Sequence, residues 1–137
     1  MMPSEFSPRR GPVDISRLEP NEIFVFGSNT AGRHGAGAAR QAHLQFGAEL
    51  GCGEGLTGQS YAFPTLDAAL RQLPRAALEQ SRDRLYRTCT ENPEKRFLLT
   101  KVGCGLAGYP EVFMQSFFGE PPANLILPKD WERPLCA

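Results

Sequence analysis

Residues 23–47 read IFVFGSNTAGRHGAGAARQAHLQFG and predict a buried strand, a glycine-rich loop and a helix in succession. The first four residues are continuously apolar and rich in β-branched and aromatic side chains, which is typical of a strand buried on both faces. We expect this strand to stop at Gly27. After the loop, small and apolar residues recur at helical spacing from Ala36 to Phe46, and Gly47 is placed to end the helix.

The rest of the chain alternates strands with helices in the same way. The sequence predicts a strand at 60–63, a helix from Pro74 to just before Asn92, a strand at 96–102, a short helix after Pro110 and a last strand at 124–127. This order predicts the α/β class, as a three-layer α/β/α fold with a mostly parallel mixed sheet. Four prolines and few apolar residues predict a proline-rich N-terminal arm at 1–20, which leaves residues 21–137 as a single domain.

Composition narrows the class of protein. A length of 137 residues fits one ordinary domain, and 41% hydrophobic with 22% charged residues is typical of a globular chain. Fifteen Lys and Arg balance fifteen Asp and Glu, so the chain lacks the net positive charge that sequence-independent DNA binding normally uses. Neither a long apolar run nor a signal peptide is evident, so we expect a cytoplasmic protein with no membrane partner.

The cysteines and histidines give little support to a disulfide framework or a metal site. An even number of cysteines without an export signal favours reduced thiols. Structural zinc needs ligands at short paired spacings, whereas His34, His43, Cys52 and Cys104 are scattered along the chain. We therefore expect no metal and no cofactor.

Two glycine-rich stretches, at 24–39 and 98–110, each follow an apolar strand. In open α/β sheets, ligands bind at the carboxyl ends of the strands, where such loops gather. The first stretch also leads into a helix, whose N-terminal N–H groups and partial positive charge suit phosphate. Together the two stretches predict a ligand that carries a diphosphate, and the alternative is that the glycines only form tight turns.

Two common phosphate-binding motifs do not fit these stretches. The dinucleotide-binding GxGxxG turn needs its glycines directly after the strand, whereas Gly27-Ser28-Asn29 comes first here. The P-loop motif GxxxxGK[ST] is missing from the sequence. The ligand is therefore not assigned to either class of nucleotide-binding protein.

A buried strand that ends in Asn29, GAGAA at a helix start, Phe46-Gly47 at its end and GCGL at 103–106 together resemble the macro domain. The chain is most similar to the branch that contains the terminal ADP-ribose protein glycohydrolases and bacterial relatives that remove ADP-ribose from DNA. It also resembles small phage and bacterial macro-like proteins with FGSN, GRHGAGAA and GCGLAGY motifs. The resemblance covers about residues 21–128.

This resemblance implies a cleft that binds ADP-ribose or a related NAD-derived nucleotide, free or attached to a modified protein or DNA. Asn29 is expected near the distal ribose, Gly35 to Ala38 around the diphosphate, and Gly103 to Gly108 over it. Residues 27–38 are called the first glycine segment below, and residues 103–109 the second glycine segment. The expected ligand-binding residues are Gly27, Ser28, Asn29, Gly32, Arg33, Gly35, Ala36, Gly37, Ala38, Gly103, Cys104, Gly105, Leu106, Ala107, Gly108 and Tyr109.

The sequence lacks the catalytic residues with which the resembled families hydrolyse an ADP-ribose bond. The glycohydrolase branch uses a lysine and an aspartate that align near Leu66 and at Ala107, and the other hydrolytic branch has an aspartate near Gly37. If the chain is an enzyme, its catalytic residues are expected to be Asn29, His34 and Asp67. The alternative is a binding module without turnover, such as a nucleotide sponge or a reader of ADP-ribosylated partners.

Several single residues have two interpretations from the sequence. His34 is either an acid–base group or a phosphate contact, and Asp67 is either a carboxylate acting on water or a helix N-cap before residues 68–70. Tyr109 either stacks on the ligand or packs under its loop. Cys104 is either a reactive thiol or a small packing residue. Trp131 is either a surface latch or a stacking partner for adenine.

Arginines in the second predicted helical region leave a nucleic-acid role open. Acidic residues are interleaved with them, which favours a solvated face instead. The arginines concerned are Arg71, Arg75, Arg82, Arg84 and Arg87.

Overall fold

The computed structural model describes residues 15–131 of the chain. Strands and helices alternate along most of this length. In chain order they are β1 (Glu22–Asn29), α1 (Gly37–Gln45), β2 (Gly55–Thr57), β3 (Ser60–Leu66), α2 (Arg75–Glu91), β4 (Arg96–Leu99), α3 (Glu111–Phe117) and β5 (Leu125–Ile126), with a 3-10 turn at Lys129–Trp131.

The strands of the described residues form one five-stranded sheet in the order β2-β3-β1-β4-β5. β1 lies at the centre and runs parallel to β3 on one side and to β4 on the other, and β4 pairs in parallel with β5. Only β2 is antiparallel, where it pairs with β3 at the edge. The predicted α/β class with a mostly parallel mixed sheet is confirmed.

Alternating side chains of β1 pack into two separate cores, one on each face of the sheet. Ile23 and Val25 contact a cluster that includes residues of α2 and α3, whereas Phe24 and Phe26 contact a second cluster that includes α1. A strand with successive side chains on opposite faces needs apolar residues at every position when both faces are covered. The result is a three-layer α/β/α arrangement.

The sequence placed three strand ends incorrectly, and each difference shapes the candidate site. β1 continues through Gly27 to Asn29, and β3 continues through Pro64 to Leu66. β4 ends at Leu99, so the chain leaves the sheet three residues before the predicted end at Val102. The short strand β2 was not predicted, because three residues that include a glycine give too little alternation to recognise.

The two ends of the described chain pack against the domain. Ile15 is buried and its carbonyl accepts a hydrogen bond from Gln41 on α1, so the packed part of the described chain includes Ile15, ahead of the predicted start near Asn21. Residues 1–14 of the expected arm and residues 132–137 lie outside the described residues. Trp131 is fully buried in the core with α2 and α3, so it is neither a surface latch nor a stacking partner for a ligand. No helix between residues 15 and 131 is long and apolar enough to cross a membrane.

Candidate ligand-binding cleft

A cleft of about 540 Å³ opens where the neighbouring strands β3, β1 and β4 reach their carboxyl ends. Its volume is in the range of pockets that hold small ligands in proteins. Residues of both glycine segments and of the turn after β3 form its wall. The lining residues are 27–29, 33, 35–39, 65, 66, 70, 100–103 and 105–107.

The two glycine segments approach each other at backbone distance. A Cβ atom on Gly27 would lie 3.4 Å from the backbone nitrogen of Gly103 and 3.6 Å from the Cα of Val102. Gly103 has a φ of +79°, a conformation that favours glycine over other residues. The absence of side chains at Gly27 and Gly103 therefore lets the backbone after β4 lie close to β1 in the cleft.

Helix α1 begins inside the cleft with an uncapped N-terminus. Its N-cap residue is Ala36, which has extended backbone angles and offers no side-chain hydrogen bond to the first turn. Residues 35–39 all line the cleft, so the first N–H groups of the helix lie at its wall. Such a terminus stabilises a bound anion, because its N–H groups lack partners and carry a partial positive charge.

The charged side chains that line the cleft are both cations. Arg33 of the first glycine segment is exposed, and it donates a hydrogen bond to the carbonyl of Ala68 in the turn after β3. The ammonium group of Lys101 lies 2.7 Å from Asp130 and 3.2 Å from Glu111. The hydrogen bond that Lys101 donates to Asp130 is the main cause that raises the pKa of Lys101, and the carboxylates of Asp130 and Glu111 offset much of its charge. The cleft thus suits an anion through Arg33 and the helix terminus.

Most of the predicted ligand-binding residues lie together in this wall. The exceptions are Gly32, Cys104, Gly108 and Tyr109, which are outside the lining. The sequence analysis missed seven residues that do line it: Ala39, Thr65, Leu66, Leu70, Thr100, Lys101 and Val102.

Asn29 lies in the cleft wall, but its amide is already used within the first glycine segment. Its Nδ2 donates to the carbonyl of Arg33 at 2.9 Å, and its Oδ1 accepts from the backbone N–H of Arg33 at 3.0 Å. Asn29 is also almost fully buried. This geometry makes Asn29 a residue that shapes the loop carrying Arg33, rather than one aimed at a ligand.

His34 points away from the cleft. Its ring is buried edge-on against Phe26, and its Nε2 lies 3.0 Å from the carbonyl oxygen of Glu49. Burial is the main cause that lowers the pKa of His34 below its usual 6.5. The imidazole ring of His34 therefore holds the first glycine segment against the loop at 47–53. His34 is not among the residues that line the cleft.

Asp67 organises the turn after β3 and does not line the cleft. Its Oδ1 accepts hydrogen bonds from the backbone N–H groups of Ala69 and Arg71, each at 2.9 Å. The backbone hydrogen bond from Arg71 is the main cause that lowers the pKa of Asp67. Residues 68–70 are a turn and not a helix, so the predicted N-cap is wrong, although the capping of backbone N–H groups by Asp67 is real.

Within the second glycine segment, the side chains of Tyr109 and Cys104 pack against the core. The hydroxyl of Tyr109 donates to the carbonyls of Leu73 and Thr65, and its ring stacks on Phe113. Cys104 packs against the core beside α2 and α3, and burial raises the pKa of its thiol. Of the paired interpretations, packing holds for both residues.

The described residues that line the cleft include no carboxylate, histidine or cysteine side chain. Among the described residues that line it, the titratable side chains are Arg33 and Lys101. Leu66 and Ala107, where the sequence departs from the glycohydrolases that it resembles, lie in the wall and have apolar side chains.

The arginines of the α2 region are largely engaged within the protein. Arg71 pairs with Asp67, Arg75 with Glu79, and Arg84 with Glu54, while Arg82 donates to the carbonyl of Phe117. These contacts favour the interpretation of a solvated, internally paired face over a nucleic-acid surface. Within residues 15–131, no group of three His, Cys, Asp or Glu side chains is arranged to hold a metal ion.

Comparison with known proteins returned no relatives: no family model, no curated protein and no solved structure matches the chain. The likeness to the macro domain therefore stays a prediction from the sequence motifs.

Proposed function

We propose that the chain binds ADP-ribose or a related NAD-derived nucleotide in the cleft and does not hydrolyse it. The observation that carries this proposal is the uncapped N-terminus of α1, which opens into the same cavity as the two backbone-lined glycine segments. A diphosphate fits such a wall, because backbone N–H groups can surround its oxygens and glycine lets the backbone approach them.

The choice of a binding module over an enzyme rests on the chemistry of the wall. Hydrolysis needs a group that moves a proton or activates water within hydrogen-bond reach of the reacting carbon. The described lining supplies only two cations, with Leu66 and Ala107 where the resembled hydrolases have their catalytic residues. A protein that sequesters the nucleotide, or that reads ADP-ribose on a modified protein or DNA, needs no such group.

Titration calorimetry of the folded chain with ADP-ribose, NAD, AMP and ATP tests binding. The expected result is saturable binding of ADP-ribose or NAD, and no heat with any of the four nucleotides would overturn the proposal. Gly35→Glu is the sharpest variant, because a Cβ on Gly35 meets no atom within 4 Å, so the fold tolerates the side chain. Its carboxylate would face the bound diphosphate and repel it, so we expect ADP-ribose binding to be lost.

Gly35→Gln is the matched control, because glutamine has nearly the same size without the charge. We expect it to bind ADP-ribose more weakly than the wild type but measurably. Equal binding by the Glu variant and the wild type would place the anion elsewhere in the protein.

A second assay separates sequestration from turnover. The chain is incubated with ADP-ribosylated protein and with ADP-ribosylated single-stranded DNA, and free ADP-ribose is measured over time. We expect no more than stoichiometric release. Repeated turnover on either substrate would overturn the non-catalytic assignment while leaving the binding assignment intact.

A further inference from the structure

Leu70 combines backbone strain with exposure at the cleft. Its φ is +63°, a left-handed conformation that branched and bulky residues rarely adopt. The side chain is 48% exposed and lines the cleft. A strained, solvent-exposed leucine adds nothing evident to the core, and residues held in such conformations cluster at ligand-binding sites.

The turn at 66–72 is held rigidly in the conformation that presents Leu70. The backbone N–H of Asp67 donates to the Arg71 carbonyl at 2.8 Å, and the N–H of Leu70 donates to the Asp67 carbonyl at 2.9 Å. Leu66 and Gln72 form a β-bridge at the base of the turn. These bonds, together with the side chain of Asp67, fix the backbone on both sides of Leu70.

The same turn connects the two glycine segments across the cleft. On one side Arg33 donates to the carbonyl of Ala68, and on the other the amide of Gln72 donates to the carbonyl of Ala107 at 2.8 Å. The neighbour of Ala107 is Leu106, which is 82% exposed and lines the same cavity. Two exposed leucines are thus brought to one cavity whose remaining wall suits an anion.

We propose that Leu70 and Leu106 form an apolar clamp for the flat face of a heteroaromatic ring of the ligand. The inference rests on the proposed nucleotide binding and deepens it, because it assigns the part of the cleft that takes a base. A nucleotide has an anionic centre and apolar ring faces, and the cavity offers a helix N-terminus and two unburied leucines to match them. Burial of these side chains by a ring removes apolar surface from water.

Leucine side chains contact the face of a ring and make no hydrogen bonds with its polar edge. The clamp therefore accepts rings of similar size, so ADP-ribose and GDP-ribose are expected to bind within a few-fold of each other. NAD has two heteroaromatic rings, adenine and nicotinamide, and either can be the clamped ring. Comparing ADP-ribose, NAD and nicotinamide mononucleotide distinguishes these two sources.

The variants Leu70→Gly and Leu106→Ala test the clamp by calorimetry. We expect each to weaken binding of the ring-containing ligand by about five- to tenfold, the loss from leaving a leucine contact unmade. Glycine accepts the positive φ at position 70, so the melting temperature of Leu70→Gly is expected to match or exceed that of the wild type. Leu56→Ala is the control, since Leu56 is 40% exposed on β2 and outside the cleft lining.

The outcomes separate the clamp from the proposed function. If ADP-ribose and NAD bind the wild type and both variants with equal affinity, the clamp is overturned and nucleotide binding stands. If the variants lose affinity for NAD but not for ADP-ribose, the clamped ring is nicotinamide, and equal losses for both ligands identify adenine. If none of the ligands binds the wild type, both proposals fall.

Discussion

The polar side chains at the end of β1 bind the backbone of neighbouring loops. Ser28 donates its hydroxyl to the Gly53 carbonyl at 2.5 Å, and the amide of Asn29 closes on Arg33, so polar side chains at the end of β1 fold the loop. The sequence predicted a site at this segment because its density of glycines is evident from the residue types alone. The sequence did not predict a role for Leu70, because nothing in the residue type indicates that a leucine adopts a left-handed conformation.

His34 shows at the residue scale why a residue type alone does not assign a role. A histidine within a glycine-rich segment suggested acid–base chemistry, yet its ring is buried. If Nε2 carries the proton and donates to the Glu49 carbonyl, Nδ1 must stay unprotonated, and Nδ1 is buried without a hydrogen-bond partner among the described residues. A second proton would place a charged donor in that buried position.

His34 is expected to make the free energy of unfolding depend on pH. Its pKa is lowered in the folded state, so below the ordinary value of 6.5 the unfolded chain binds a proton that the folded chain resists. The stabilisation is therefore complete above that pH and is lost as the pH falls through the lowered folded pKa. Thermal unfolding followed by circular dichroism from about pH 7.5 to about pH 5 measures this loss.

His34→Gln is expected to flatten this pH dependence, because a glutamine amide still donates to Glu49 but does not titrate. His43→Gln keeps His34 but removes a neighbouring charge that helps to lower the pKa of His34, so the loss of stability on acidification is expected to be smaller than in the wild type yet still present. If the wild type and His34→Gln lose stability equally on acidification, a group other than His34 causes the loss of folding stability at low pH.

At the scale of elements, α1 begins where the ligand is proposed to bind and is left without a side-chain cap. The α1 pattern predicted the helix itself, since apolar residues recurred at helical spacing, and the structure places it at Gly37–Gln45. Its missing cap has a physical use, because a bound anion can satisfy the N–H groups that a cap would otherwise take.

Ala36→Asp is therefore expected to stabilise the protein and weaken its ligand binding. Ala36 is exposed and already has the extended backbone of an N-cap, so an aspartate there can accept from the first turn and raise stability by about 0.5–2 kcal/mol. The same carboxylate competes with the diphosphate, so ADP-ribose affinity should fall by at least about tenfold. Chemical denaturation and calorimetry measure the two effects.

The control for this variant places the same charge at the start of α2, where residues 75–77 do not line the cleft. Ala76 is exposed in the first turn of α2, and Ala76→Asp is expected to leave ADP-ribose binding unchanged. If Ala36→Asp gains stability and binds ADP-ribose as tightly as the wild type, the anion does not bind at α1.

Elements after β3 and β4 explain why the rest of the cleft was not predicted. Pro64 suggested that the strand stops at 63, but β3 continues beside Ser28 of β1 to Leu66, which places Leu66 at the rim. β4 ends at Leu99, which releases Thr100, Lys101 and Val102 into the wall. Strand ends depend on pairing with a neighbouring strand, and local residue pattern does not contain that information.

At the scale of the whole molecule, the cleft depends on two cores that hold the sheet from opposite sides. Trp131 closes the core formed with α2 and α3, where its ring stacks on Phe118 at a centroid distance of 6.4 Å. Its indole N–H donates to Glu111 at 3.2 Å, and Glu111 also contacts Lys101 of the cleft wall. Glu111 of α3 thus links Trp131, at the end of the described chain, to Lys101 in the cleft wall.

We expect Trp131→Ala to destabilise the whole domain by about 3–5 kcal/mol, the usual loss for a fully buried aromatic side chain. Urea unfolding by circular dichroism measures the change, and Trp131→Phe should recover most of the loss because a ring still packs on Phe118. Val112→Ala is the control on α3, where Val112 is 72% exposed, and it is expected to shift stability by less than about 0.5 kcal/mol. A loss below about 1 kcal/mol in Trp131→Ala would mean that the 129–131 turn is a detachable surface segment, and that the core forms without it.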